Sequence, residues 1–278
     1  MARLDLHMHS TCSDGRHPPG WVIRQAASNG AELVALTDHD TLAGVEEARQ
    51  VGGPLGVTVV AGVEMSVIHD PLGELHVLGY LPARDDLADL ELQLSQYRDE
   101  RLGRARRTLD LLRDLGAPIE EDAVVRHADG GVVGRPHIAR ALVDAGHVES
   151  VQEAFDRYLQ NGGPAFVQRS VLGMEESIAL IHDCGGIASL AHPTRYRETE
   201  ASIESFAATG GDAVELYYRN DPPDVVASGK RLASRLGLAA TGGSDFHGIH
   251  PDEMPPATVP MPYHAAERLI DLLKDLAI

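Results

Sequence analysis

Residues 4–15 read Leu4-Asp5-Leu6-His7-Met8-His9-Ser10-Thr11-Cys12-Ser13-Asp14-Gly15. Leu4–Met8 is a β-like run, and on a strand residues i and i+2 point to the same face. His7 and His9 therefore stand side by side, a good half-site for a divalent metal. A bare His-x-His triplet says little, since roughly 0.7 are expected by chance at this chain's histidine frequency. Its placement says more. The pair closes a strand, and Ser13-Asp14-Gly15 follows at loop spacing.

Working outward, the pattern repeats. Leu33–Leu36 runs into Thr37-Asp38-His39-Asp40, and Val57–Val63 into Glu64. Leu75–Leu81 carries His76, Ile187–Ala191 ends at His192-Pro193, and Leu238–Thr241 leads to Ser244-Asp245-Phe246-His247. With Ala213–Tyr217 there are seven such runs, six of them finishing in or carrying His, Asp or Glu. Helical patterns lie between several of them, at Gly20–Ser28, Leu42–Val51, Glu175–Asp183, Ile203–Ala208 and Val225–Leu236. Strand and helix in alternation argue for an α/β fold with a parallel sheet and crossover helices. Periodicity alone leaves a closed barrel and an open sheet both standing. The barrel is favoured, because its strand ends converge on one face, where sites are built.

The alternation breaks between residues 85 and 166. Helical patterns at Leu87–Leu115, Glu120–His127, His137–Ala145 and Val151–Leu159 follow one another with no convincing strand. This stretch reads as a helical insertion and substrate cap, dividing a barrel made of residues 1–84 and 167–278. Leu269–Ile278 reads as a closing amphipathic helix.

Composition narrows the function. With 24 basic and 42 acidic residues the net charge is −18. A broad basic surface for double-stranded nucleic acid is excluded, because phosphate neutralisation needs clustered Lys and Arg. No run of 18 apolar residues suggests a membrane span, and the first residues contain no apolar signal-peptide core. Two cysteines, Cys12 and Cys184, make no disulfide framework, and a reducing cytoplasm is the expected compartment. Histidine is the outlier, 14 of 278 residues.

The ligand chemistry is coherent. His and carboxylates suit Zn, Mn or Fe(II). Nine candidates exceed the needs of one ion and match a cluster of two or three. Glu64, at the barrel centre, can bridge two ions with its two oxygens. Asp38 and Asp40, flanking His39, read as caps or as acceptors that orient the imidazole. Cys12 reads as a packed thiol, Cys184 as a helix-end residue, and His17, His69, His127, His147, His182, His250 and His264 as packing or surface residues.

The stretches DLHMHSTCSDG (5–15), LTDHDTLAG (36–44), GVEMS (62–66), ELHVLGY (74–80), LAHPTRY (190–196) and GGSDFHG (242–248) resemble the PHP family, named for polymerase and histidinol phosphatase. GRPHIARALVDAG (134–146) resembles the branch of nucleoside 3′,5′-bisphosphate phosphatases and short-RNA 5′→3′ exonucleases. The resemblance implies a distorted (β/α)7 barrel and assigns the ligands. His7, His9, Glu64 and Asp245 would hold a first metal. Glu64 would bridge to a second, completed by His76 and His192. Asp14, His39 and His247 would hold a third. Many members have His where Asp14 stands, which bears on the third site's affinity and metal preference.

The insertion contributes arginines. Arg98, Arg101, Arg104, Arg106 and Arg107 share one predicted helix, where Arg101 and Arg104 lie on one face. They read either as a solvated face paired with Asp99, Glu100 and Asp110 or as planar forks for a substrate phosphate. Arg135, opening the next helix, and Arg195, three residues after His192, are further phosphate candidates. The expected activity is metal-dependent hydrolysis of the 3′-phosphate of a nucleoside 3′,5′-bisphosphate, extending to short RNA from its 5′ end. Glu64, His192 and Asp245 would be catalytic, with a metal-activated hydroxide as nucleophile. A phosphatase for another small monoester such as histidinol phosphate, and a metal-bound interaction module without catalysis, are the alternatives.

Overall fold

The computed structural model describes residues 4–83, 87–128, 133–167, 172–249 and 253–262, with single positions at 265, 269, 272, 273 and 276; residues 88 and 98–101 are described by backbone alone. Seven strands form one sheet in chain order: β1 (Leu4–Asp5), β2 (Leu33–Leu36), β3 (Thr58–His69), β4 (Gly73–Leu81), β5 (Ile187–Leu190), β6 (Ala213–Tyr218) and β7 (Ala239–Gly243). The sheet nearly closes. Leu6 donates to the Gly242 carbonyl at 3.1 Å, Asp245 to that of His7 at 2.8 Å, and Met8 bridges Phe246. Gly243 permits this closure, since a Cβ there would lie 2.6 Å from the His7 backbone nitrogen.

The sheet is mixed rather than parallel. β1, β2 and β3 are parallel, as are β5, β6 and β7, but β4 runs antiparallel to both its neighbours. The cause is local. β3 does not stop at Val63 but continues to His69, and only Asp70–Leu72 separate it from β4. Three residues can reverse a chain but cannot carry it back for a parallel partner. The reversal matters to the site: β4 descends from the mouth, so His76, near its start, lies at the level where the other strands end.

Elsewhere elements follow from their residues. β2 is a continuous buried Leu-Val-Ala-Leu run, typical of a parallel strand covered on both faces. Crossover helices α1 (Pro19–Ser28) and α2 (Val45–Gly52) cover one flank. Between β4 and β5 come α3 (Ala88–Asp114), α4 (Glu121–Ala128), α5 (Arg135–Asp144) and α6 (Val151–Ala154), then α7 (Met174–Asp183). The helical pattern at 151–159 is not one α-helix, because α6 widens into a π-turn over Phe155–Leu159. α8 (Thr199–Ala208) and α9 (Pro223–Leu236) complete the second half, α9 starting on a proline and ending at Gly237 with φ 76°.

The helices from α3 to α6 gather their own apolar cluster, including Leu109, Leu112, Val124, Ile138, Leu142 and Leu159. The barrel strands pack in other clusters, one of which also takes in Leu90 and Leu94 from the first turns of α3. The closing helix expected at Leu269–Ile278 falls mostly outside the described residues, although Leu269 and Leu273 are buried.

Candidate metal centre

The residues at the strand ends converge on Glu64, which is 1% exposed. Its Oε2 lies 3.1 Å from His9 Nε2, 3.3 Å from His7 Nε2 and 3.3 Å from His39 Nδ1. Its Oε1 lies 2.7 Å from His76 Nδ1 and 3.1 Å from His192 Nε2. Each oxygen thus has its own set of imidazoles. Asp245 Oδ1 adds to the first set, 3.4 Å from His7 Nε2 and 3.3 Å from His9 Nε2. Asp14 makes a further centre, 3.3 Å from His247 Nε2 and 3.8 Å from His39 Nε2.

Three overlapping ligand groups result: His7, His9, Glu64 and Asp245; His39, Glu64 and His76; and His9, Asp14, His39 and His247. His9 and His39 each belong to two of them. His192 stands outside these groups but touches Glu64. Local backbone aims the ligands. His192 and Asp245 adopt positive φ of 30° and 50°, turning sharply off their strands. Gly15 lets the loop carrying Asp14 fold against the His9 backbone, where a Cβ would meet His9 C at 2.7 Å.

This donor set fits divalent ions. Two atoms bound to one ion at about 2.1 Å lie about 3.0–3.4 Å apart, and most of the nitrogen–oxygen distances above fall in or close to that band. His7 Nε2, both ring nitrogens of His9 and His192 Nδ1 are buried without a hydrogen bond. A cluster of buried lone pairs and carboxylates asks for cations. Protons answer partly. Burial opposes charge on His7, yet Glu215, Glu64 and Asp245 raise its pKa well above the usual imidazole value. Burial likewise opposes charge on His9, but Asp245 and Glu64 push it up to about 10. Burial would raise the carboxyl pKa values of Asp14, Glu64 and Asp245; the surrounding imidazoles hold all three well below the ordinary range. Metal uptake would displace the imidazole protons.

Of the two readings of Asp38, the cap holds and the imidazole acceptor does not: the carboxylate accepts from Ser10 N at 2.7 Å, Ser10 Oγ at 2.7 Å and Ser13 Oγ at 2.6 Å, tying down the loop that bears Asp14. Glu215 on β6 lies 3.2 Å from His7 Nδ1 and accepts from His192 N at 2.8 Å. Tyr218 donates to Asp245 Oδ2 at 2.8 Å, as does Arg219 at 3.0 Å. These three were not singled out from sequence. Glu215 had a signal, a carboxylate inside the apolar run Ala213–Tyr217; Tyr218 and Arg219 had none.

A cavity of about 400 Å³ opens over the cluster, bounded opposite by Arg104, Arg135, Asn161 and Phe155. Arg104 and Arg135 stand over the ring of Phe166, at 5.5 and 5.8 Å from its centroid. Arg135 also donates to Asn161 Oδ1 at 2.7 Å and lies 3.6 Å from Glu74. Arg195 lines the same cavity and donates to Tyr218 Oη at 3.0 Å. Arg106 instead faces solvent and pairs with Glu121, and Arg113 pairs with Asp110. Arg101 lies in α3, outside the residues whose side chains are described. No helix among the described residues is long and apolar enough to cross a membrane, and Cys12 and Cys184 do not form a disulfide.

Comparison with known proteins places the chain in a family. A 3′,5′-nucleoside bisphosphate phosphatase of Chromobacterium violaceum is 35% identical over 283 residues, spanning 94% of this chain and 95% of that protein. A 5′-3′ exoribonuclease of Haemophilus influenzae is 36% identical over 254 residues, spanning 88% and 90%. A crystal structure from Bifidobacterium adolescentis, assigned as a metal-dependent phosphoesterase, superposes with a TM-score of 0.84 at 28% identity, over 96% of this chain and 95% of that one. The PHP domain model matches residues 5–167, more than half of the chain, and the protein belongs to the PHP domain family.

Proposed function

We propose that this protein is a metal-dependent phosphoesterase that removes the 3′-phosphate of nucleoside 3′,5′-bisphosphates and also accepts short RNA from its 5′ end. The observation that carries the reading is the cavity itself: a cation-demanding cluster on one wall, guanidinium groups on the other. The first ion falls to His7, His9, Glu64 and Asp245, the second to Glu64, His76 and His192, and the third to Asp14, His39 and His247. Two or three ions of Mn, Zn or Fe(II) suit these donors. When bound, such ions supply an activated water at neutral pH and take up charge on phosphoryl oxygens.

The chain's own residues do the rest. Glu64 offers one oxygen to each neighbouring imidazole set. Tyr218 and Arg219 occupy Asp245 Oδ2, leaving Oδ1 directed at His7 and His9. Arg195, at the cavity edge, meets the phosphate to be cleaved. Arg135 and Arg104, with Arg101 on the same helix as Arg104, hold the phosphate that stays. A planar fork already set over Phe166 loses little freedom when it binds phosphate. Local positive charge on this wall explains how a chain of net charge −18 binds an anion. In this reading residues 85–166 are a substrate cap on a barrel of residues 1–84 and 167–278. The apolar cluster of the helices from Ala105 on supports that division, while Leu90 and Leu94 at the start of α3 pack with the barrel, and a chain with only two cysteines suits a cytoplasmic setting.

The test is phosphate release from the Mn-reconstituted protein across nucleoside 3′,5′-bisphosphates, mononucleotides, histidinol phosphate and short RNA. Highest kcat/KM on a bisphosphate is expected. Preference for histidinol phosphate would overturn the nucleotide reading, and no release from any substrate would overturn catalysis.

A further inference from the structure

We propose that Glu215 is a positioning residue that holds two histidines of the cluster at once, fixing the tautomer of His7 and the backbone turn at His192. The inference rests on the reading above that His7 and His192 serve different ions. Glu215 is 1% exposed, on β6, the one strand whose end carries no expected ligand. Both its oxygens lie 3.2 Å from His7 Nδ1, and Oε2 also accepts from the His192 backbone N–H at 2.8 Å.

A carboxylate only accepts, so Nδ1 of His7 carries the proton. That leaves the Nε2 lone pair free, and Nε2 is the atom facing Glu64 Oε2 at 3.3 Å and Asp245 Oδ1 at 3.4 Å. The bond to His192 acts differently. His192 has φ 30° and ψ 56°, a left-handed conformation that a residue with a Cβ keeps only when its surroundings hold it there. The turn brings His192 Nε2 to 3.1 Å from Glu64 Oε1. One buried carboxylate thus fixes an imidazole on each side of the bridging Glu64.

Glutamine replaces it poorly. If its oxygen accepts from His192 N–H, that oxygen stays 3.2 Å from His7 Nδ1, but an NH2 now stands at the same distance, donor against donor, and favours the tautomer with the proton on Nε2, which blocks ligation. If its oxygen faces His7, NH2 opposes the His192 N–H, donor against donor. Aspartate keeps two acceptor oxygens on a shorter stem.

The experiment titrates Zn²⁺ into chelator-stripped wild type, Glu215→Gln and Glu215→Asp against a chromophoric chelator, with thermal melts of each metal-free protein. Wild type is expected to bind at least two ions. Glu215→Gln is expected to melt near wild type when metal-free, yet to bind one or two ions about 10- to 100-fold more weakly, the scale for losing a partner of a metal-bound histidine. Glu215→Asp is expected to stay within about tenfold of wild type. In ¹⁵N spectra of the Zn-loaded proteins, the protonated Nδ1 of His7 is expected in wild type and lost in Glu215→Gln. Unchanged affinity in Glu215→Gln overturns the inference. So does an equal loss at every ion with a matching fall in metal-free melting temperature, which marks a merely structural role. Should Glu215→Gln not fold, a loss beyond tenfold in Glu215→Asp overturns it. Fewer than two ions in wild type overturns the metal reading itself, and the inference with it.

Discussion

Two walls face each other across one cavity. On the barrel wall, Asp14, Glu64 and Asp245 and the imidazoles around them hang on strand ends, most of them buried, aimed by backbone turns such as those at His192 and Asp245. On the helical wall, Arg104 and Arg135 reach in on long side chains, steadied by Phe166 and, for Arg135, by Asn161 and Glu74. The first wall is rigid because its polar atoms have no alternative partners when buried. The second is held by side-chain contacts alone, long stems carrying always-charged heads. The difference predicts a division of labour: changes on the barrel wall should remove the reaction, and changes on the helical wall should alter which phosphate ester is taken.

Mutation can break that division. Glu64→Ala is expected to have the largest effect, because both its oxygens face imidazoles. The loss in kcat should exceed the about 10- to 100-fold typical of residues that only support a ligand, with loss of bound metal measured by elemental analysis. Near-normal turnover with full metal content would break the barrel half of the comparison. Asp14→Ala is expected to remove one ion and leave a folded protein that keeps the others; loss of every ion would join the third centre to the first two.

On the opposite wall, Arg135→Ala is expected to lower kcat/KM for a 3′,5′-bisphosphate by about 10- to 150-fold, since a charged hydrogen bond is worth about 1.5–3 kcal/mol. An aryl phosphate, with no second phosphate to hold, should be hydrolysed almost as before. Equal losses on both substrates would move Arg135 to the catalytic side of the cavity. The smallest effect is expected for Phe166→Ala. A largely buried cation–π contact of about 0.5–2 kcal/mol predicts about a 2- to 30-fold rise in KM for the bisphosphate, with kcat unchanged. A fall in kcat instead would show that the two walls are not independent.

The same contrast explains what was legible in the sequence. The convergence of His7, His9, His192 and Asp245 on Glu64 was readable because strand periodicity and strand ends have fixed geometric consequences. The strand direction of β4 was not, because the run over 75–81 carries no mark of its polarity; only the shortness of the Asp70–Leu72 link reveals it. Glu215 was visible as an acid in an apolar strand, but its partners come from the segment after β1 and the turn after β5, which one sequence does not align. The arginines of α3 were the least readable. Helical spacing put Arg104 and Arg106 on one element, but only packing turns Arg104 inward over Phe166 and leaves Arg106 to Glu121 at the surface. Aromatic support from Phe166, distant in sequence, had no local signature at all.

The central claim is that the barrel wall is a multi-ion centre on which phosphate hydrolysis depends. Metal content of the gently purified, metal-replete protein tests it most directly, measured by elemental analysis with anomalous scattering at the metal edges and followed by phosphate release before and after chelation. The account predicts at least two ions within the Glu64 cluster, activity lost on stripping and recovered with Mn²⁺. Fewer than two ions, or phosphate release undiminished after they are removed, would contradict it.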